Sequence, residues 1–226
     1  MKKLLKSFVP PILLPTIRRL SNLHSLRRRV SGDSQNLSMY WDTEFAKTLD
    51  VWGEGNAWNE IQLIMFGLEG NVLDIACGTG KVTEILSKYA SLNLYGCDIS
   101  DFLIQKAKDR NIPRSQFEVC DATKLPFQND FFNYAYSIGS IEHFTEDGIY
   151  QLLSECYRVV ENGCFHQHPI SRSGRNEGWI TNTQSYHNNS VTWWLEKYHA
   201  VYKNVLVLDS CWECDTSIGK WFICQK

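Results

Sequence analysis

Between residues 72 and 81 the chain runs from an apolar stretch, Val72-Leu73-Asp74-Ile75-Ala76, through Cys77-Gly78-Thr79-Gly80 to Lys81, where a helical pattern begins. Glycines let a ligand approach the backbone closely, and a helix starting just beyond them offers unpaired N–H groups to a carboxylate or phosphate. The spacing predicts an anion-bearing ligand over Asp74, Ala76, Cys77, Gly78, Thr79 and Gly80. Two nucleotide fingerprints fail on single residues. A dinucleotide loop would need a third glycine where Thr83 stands, and a phosphate-binding loop of the Gly-Lys-Ser/Thr type would need a hydroxyl where Val82 stands. Asp98 ends a second apolar run 18 residues past Gly80. A carboxylate so placed can accept hydrogen bonds from both hydroxyls of a ribose.

These side chains need a scaffold, and the pattern around them supplies one. Strand-like runs at 72–76, 92–97, 117–120, 134–138 and 164–168 alternate with helical patterns at 81–89, 101–110 and 146–160. Such alternation is the mark of βαβ units and a parallel sheet. The last two runs, 205–209 and 221–224, are joined by a connection too short for a crossover helix, so they should pair antiparallel. The expected fold is α/β: a doubly wound, Rossmann-like, seven-stranded and mostly parallel sheet with an antiparallel C-terminal hairpin strand. Residues 33–226 read as one domain, with a helical cap at 39–68, a ligand-binding core at 70–170, an insert or lid at 171–202 and a closing hairpin at 203–226.

Asp74-x-Ala76-x-Gly78-x-Gly80 resembles motif I of the class I S-adenosylmethionine-dependent methyltransferases (type 11-like), with Ala76 where that family often has glycine. Leu94-Tyr95-Gly96-Cys97-Asp98-Ile99-Ser100, then 119–127 around Asp121, then 131–143 ending Ile141-Glu142-His143, resemble the family's later elements in the family's order. The resemblance covers residues 70–170. It implies that the glycine loop lies against the methionine part of S-adenosylmethionine, whose product is S-adenosylhomocysteine. It also implies Asp98 and Ile99 at the ribose, Asp121 and Ala122 at the adenine, and Ser137 on the strand that opens onto the transferred methyl. The run 8–13 and the Trp-rich insert further resemble methyltransferases of bacterial surface-polysaccharide clusters, which implies a sugar or sugar-linked acceptor. Methylation of another small molecule, or cofactor binding without catalysis at a membrane-associated assembly, are the alternatives.

A sulfonium is already an excellent leaving group, so the protein's task is alignment and desolvation. A hydroxyl acceptor must also lose its proton, and a base near the methyl is expected. His143 follows the fourth strand at the ligand-binding edge of the sheet, His168 lies near the end of the fifth, and Glu142 is the next candidate. In the insert, Arg172 and Arg175 suit a phosphate or carboxylate, while Gln184, Tyr186, His187 and Asn188 suit sugar hydroxyls. Trp193, Trp194 and Tyr198 either stack on the acceptor or pack in the core.

Composition sets outer limits. Eight cysteines fall mostly in apolar runs, as reduced thiols of a cytoplasmic protein do. Cys211 and Cys214 have metal-ligand spacing without a second pair, so no metal is expected. Residues 1–32 hold eight Lys and Arg and no acid, whereas 33–226 hold 15 basic and 25 acidic residues. The acidic domain argues against nucleic acid as a partner. The basic arm shows helical spacing over 17–30, for contact with an anionic inner membrane face or for packing on a protein surface. Its apolar run is too short to span a bilayer. Nothing in the pattern specifies an oligomer.

Overall fold

The structure is a computed structural model that describes residues 28–29, 43–181 and 185–226. In chain order the strands are β1 (Arg28–Arg29), β2 (Gly70–Ile75), β3 (Leu92–Asp98), β4 (Ser115–Val119), β5 (Phe132–Ile138), β6 (Val160–Ser171), β7 (Trp179–Thr181), β8 (Ser185–His187), β9 (Asn204–Glu213) and β10 (Ser217–Gln225). The helices are α1 (Thr43–Leu49), α2 (Ala57–Met65), α3 (Lys81–Leu86), α4 (Asp101–Asp109), α5 (Glu146–Val159) and α6 (Val191–His199), with a 3-10 turn at Ile141–His143.

Seven strands form one sheet in the order β4-β3-β2-β5-β6-β10-β9. The pairs from β4 to β6 are parallel, and β10 is antiparallel to both β6 and β9. This is the expected sheet, closed by the expected hairpin. β6 runs well beyond the 164–168 read from the sequence, because β10 pairs along it from Gly163↔Gln225 to Ser171↔Ser217. Hydrophobicity alone marks only the buried centre of a strand; its ends are set by the partner.

One face of the sheet packs on α5 and α6, through Leu152, Leu153, Cys156, Trp194, Tyr198 and Phe222. The other packs on α2 and α3, through Ala57, Ile61, Met65, Leu86 and Trp221. Trp194 and Tyr198 are fully buried, which settles the insert's helix as core. Side chains cap the helices where they must start: Asn56 for α2, Ser100 for α4, Thr145 for α5 and Ser190 for α6. The Glu60 carboxylate on α2 accepts from Ser210 Oγ (2.7 Å), the Cys211 N–H (2.5 Å) and Trp221 Nε1 (2.7 Å). Burial opposes its ionisation, and these donors outweigh it, holding Glu60 below its ordinary value.

The rest of the insert is a hairpin, β7 with β8, and β1 adds to it by pairing Arg28↔Thr181 and Arg29↔Ile180. The helical pattern drawn over 17–30 therefore does not hold at Arg28–Arg29, which are extended in pairing with β7; the remainder of the basic arm lies outside the described residues. Among the described residues no helix is long and apolar enough to cross a membrane.

Candidate active site

The loop after β2 turns sharply. Ala76 (φ 54), Gly78 (φ 55) and Gly80 (φ 73) are all left-handed. At Gly80 a side chain is excluded for a packing reason, since a Cβ there would stand 2.9 Å from Ala107 Cβ on α4. Gly80 thus seats the loop on α4 while Gly78 faces the cavity. The Asp98 carboxylate accepts from the Gly78 N–H (3.0 Å) and the Ser100 N–H (2.9 Å), tying the end of β3 to the loop. Burial raises the pKa of Asp98 against the pull of these donors. Asp74, inside the sheet, accepts from Thr83 Oγ1 (2.8 Å), and burial pushes its carboxyl up to about 7. Arg110, at the end of α4, fastens the outside of the loop: Nε donates to Thr79 O (2.7 Å), and the guanidinium meets Glu84 (3.0 Å) and Asp50 (2.5 Å). Sequence reasoning missed Arg110 and Asp50, which lie 60 residues apart.

The loop opens into a cavity of about 610 Å³. Asp74, Ala76, Cys77, Gly78, Thr79, Asp98, Ile99, Asp121 and Ala122 all line it, so nearly the whole expected cofactor set comes together. Asp121 Oδ1 accepts from the Thr123 N–H (2.8 Å) and Thr123 Oγ1 (2.7 Å), which fixes the turn after β4. Ser137 does not belong to this set. Side chains alternate along a strand, and Ser137 points to the α5/α6 face, where its hydroxyl meets His166 Nδ1 at 2.8 Å.

A second group of residues lines the same cavity: Phe45, Leu49 and Trp52 from the cap, Gln167 from β6, Trp212 from β9, and Glu142, His143 and Tyr186. Gly139 (φ 64) ends β5, and a Cβ there would come within 3.1 Å of the Trp52 ring and 3.8 Å of Glu142 Oε1. A left-handed glycine behind a strand is the one sequence signal that foretells this close approach. Glu142 Oε1 is 3.6 Å from His143 Nε2, and the His143 ring meets Tyr186 edge-on at 6.5 Å. Glu142 is 3% exposed, and burial pushes its carboxyl up to about 8.

Other expected residues lie elsewhere. His168 faces the helices, stacked on Phe222 (4.7 Å) with Nε2 3.1 Å from the Tyr198 hydroxyl, and burial lowers it to about 3. It does not reach the cavity, for the same alternation that turns Ser137 away. Arg172 is exposed and pairs with Glu213 (2.6 Å), and Arg175 is exposed. Asn188 is buried between Glu177 and Ser217 as a structural clamp. His187 faces a separate hollow beside Glu146, Trp179 and Trp193, and burial lowers it to about 4. Gln184 lies outside the described residues. Cys211 and Cys214 are exposed free thiols. Among the described residues one potential ligand cluster, Cys156, Cys164 and His166, has its atoms within 4.8 Å, in the helix-facing core and away from the cavity.

Residues 72–163 match the family model described as a methyltransferase domain. The C-methyltransferase UbiE of ubiquinone and menaquinone biosynthesis from Desulfotalea psychrophila is 34% identical over 96 residues, 42% of this chain and 38% of that protein. A methyltransferase from Burkholderia thailandensis, solved with 1,6-didemethyltoxoflavin and S-adenosylhomocysteine, superposes with a TM-score of 0.70 at 14% identity, covering 88% of this chain and 93% of that one. Residues 72–163 thus form a methyltransferase domain, in the fold of the S-adenosylmethionine-dependent methyltransferases. A tRNA (carboxymethyluridine(34)-5-O)-methyltransferase of Arabidopsis thaliana is 36% identical over 95 residues, which span 42% of this chain and 22% of that protein. The chain spans only 38% and 22% of the length of these two curated relatives.

Proposed function

We propose that the chain transfers the methyl group of S-adenosylmethionine to a hydroxyl of a small polar ring compound, a sugar or sugar-linked group of glycan assembly. One observation carries this proposal: the glycine loop with its acids and the Trp52, Glu142, His143 and Tyr186 group share one cavity. Indole and phenol rings beside amide and acid side chains suit the faces and edges of a sugar.

The cofactor fits the residues present. The backbone of 76–79 would hold its methionine end, and residues 121–122 its adenine. Asp98 already accepts two N–H donors, yet a carboxylate has about four lone-pair sites, leaving room for ribose hydroxyls. When bound, S-adenosylmethionine supplies a methyl group on a sulfonium that departs as a neutral thioether. This chain's own residues align the acceptor, exclude water and receive its proton. His143 and Glu142 are the groups placed to take that proton, one beside the other at the cavity wall. The eight free cysteines support a reducing, cytoplasmic compartment, and the basic run over 1–30 supports contact with an anionic inner membrane face.

The test is transfer from labelled S-adenosylmethionine to cell-envelope glycans and their soluble precursors, with mass spectrometry of the product. A methylated sugar is expected. Tight cofactor binding with no transfer to any of these fractions would reduce the chain to a cofactor-binding scaffold, and transfer only to non-sugar acceptors would remove the glycan assignment.

A further inference from the structure

Gln167 of β6 turns to the cavity, and its neighbour His166 turns the other way, into the core beneath α5 and α6. There three side chains with metal-binding atoms converge. Cys156 of α5 and Cys164 and His166 of β6 each offer one such atom, and all of these atoms lie within 4.8 Å of one another. The three residues are 0% exposed. Cys164 and His166 share a face because they stand two positions apart on one strand, and α5 brings Cys156 over them. Cys224 of β10 is the direct partner of Cys164 in the antiparallel register, so its side chain emerges on that same face. A helix and two strands supply the set, and no finger-like spacing announces it.

The surroundings match what a bound metal requires. The Ser137 hydroxyl lies 2.8 Å from His166 Nδ1. By accepting the Nδ1 proton it leaves Nε2 with its lone pair, as the outer partner of a metal-bound histidine does. Nε2 is buried and has no hydrogen-bond partner, whereas buried ring nitrogens are ordinarily satisfied. The Tyr202 hydroxyl donates to Cys164 Sγ (3.4 Å), a contact that favours the thiolate. Sulfur and imidazole ligands suit zinc, and ligand atoms around a tetrahedral zinc stand about 3.5 to 3.8 Å apart. A set already within 4.8 Å therefore closes on the ion by about 1 Å at most. Cys224 Sγ, which now meets Phe222 O at 3.9 Å, is the nearby thiol placed to swing in as the fourth ligand.

We propose that Cys156, Cys164, His166 and Cys224 hold a structural zinc ion that staples α5 to β6 and β10 behind the cavity. Three thiolates and one imidazole are among the sets that close a structural zinc site without leaving a position for substrate. The ion takes no part in methyl transfer; it fixes the strand that carries Gln167 to the cavity wall. Because the site is enclosed by the core, the ion enters while the chain folds, and its binding energy becomes folding energy.

The test uses the full chain, purified without chelator and also unfolded and refolded with zinc, with cobalt or with a chelator. Elemental mass spectrometry should find about one zinc per chain. The cobalt-refolded protein should show the strong visible bands of a tetrahedral site together with a thiolate-to-cobalt charge-transfer band. Refolding with chelator should lower the melting temperature by several degrees relative to refolding with zinc. Cys164→Ser should lose the metal, whereas a protein with both Cys211→Ser and Cys214→Ser should keep it, since that exposed pair is the rival place for a thiol-bound ion. The wild-type measurements decide the matter even where Cys164→Ser fails to fold. Wild-type protein that takes up neither zinc nor cobalt, a melting temperature indifferent to the metal, a metal lost with Cys211 and Cys214, or a disulfide between Cys156 and Cys164 would overturn the inference. None of these readouts depends on methyl transfer.

Discussion

The two ends of the cavity are built in opposite ways. At the cofactor end the side chains are already engaged: Asp98 holds Gly78 and Ser100, Asp121 holds Thr123, Asp74 holds Thr83, and Arg110 ties the loop to α1 and α3. At the other end Glu142, Ser140 and Gln167 present unmatched atoms inside an aromatic wall. The first end is rigid before its ligand arrives and comes from one contiguous stretch of βαβ. The second borrows from the cap, β6, β8 and β9. A domain can therefore keep one cofactor while exchanging its acceptor by altering segments outside residues 70–130.

Substitutions that act on one end and spare the other sharpen this contrast. The largest effect is expected at Glu142. Its carboxyl titrates at about 8 in the fold against 4.5 in the unfolded chain. The folded state thus binds the proton more tightly, and its stabilising contribution is complete below pH 4.5 and lost as pH rises to about 8. The loss is about 1.4 kcal/mol per pH unit across that window. Glu142→Gln escapes it, so the melting temperature of the variant relative to wild type should climb between pH 5 and 8 and level off above; a flat difference would show that Glu142 is ionised in the fold. His143 beside it and Tyr198 on α6 are the other titratable groups within its field.

His143→Ala should lower turnover by about 10²-fold or more, the usual contribution of a positioned base. Its S-adenosylhomocysteine affinity should stay at the wild-type value. Equal losses in both quantities would merge the two ends into one. Asp98→Ala should do the reverse, weakening cofactor binding by about 2 kcal/mol, as loss of charge-assisted hydrogen bonds does. Calorimetry that finds unchanged affinity would remove the ribose role. The smallest effect is expected at Ala76, a left-handed residue with a Cβ (φ 54). Ala76→Gly relieves strain of about 1 kcal/mol, offset in part by the extra freedom of the unfolded chain. Thermal unfolding should show it as stable as wild type or slightly more so, and a clear drop would mean that the loop is not strained there.

The contrast also explains what could be read from the sequence. The alternation of strands and helices, the closing hairpin and the set from Asp74 to Ala122 are written in contiguous patterns, so local rules recover them. Ser137 and His168 went astray because alternation says which residues share a face and not which face meets the cavity. Ser137, His166 and His168 share the helix-packed one. Trp52, Gln167 and Trp212 were invisible because only the folded sheet brings residues 52, 167 and 212 together. Trp194 and Tyr198 show the same limit from the other side, since aromatics in a polar insert look like a sugar platform until their burial is known.

The anchoring of α2 has a consequence for biosynthesis. Glu60 waits for partners that are 150, 151 and 161 residues downstream. At ribosomal speeds that interval is roughly 10 to 30 seconds. Until β9 and β10 emerge, the cap can rest on Val72, Leu86, Leu94 and Tyr136, but it lacks the Trp221 contact and every donor to the Glu60 carboxylate. The cavity, whose wall takes Trp212 from β9, is accordingly completed only when the closing hairpin has been made.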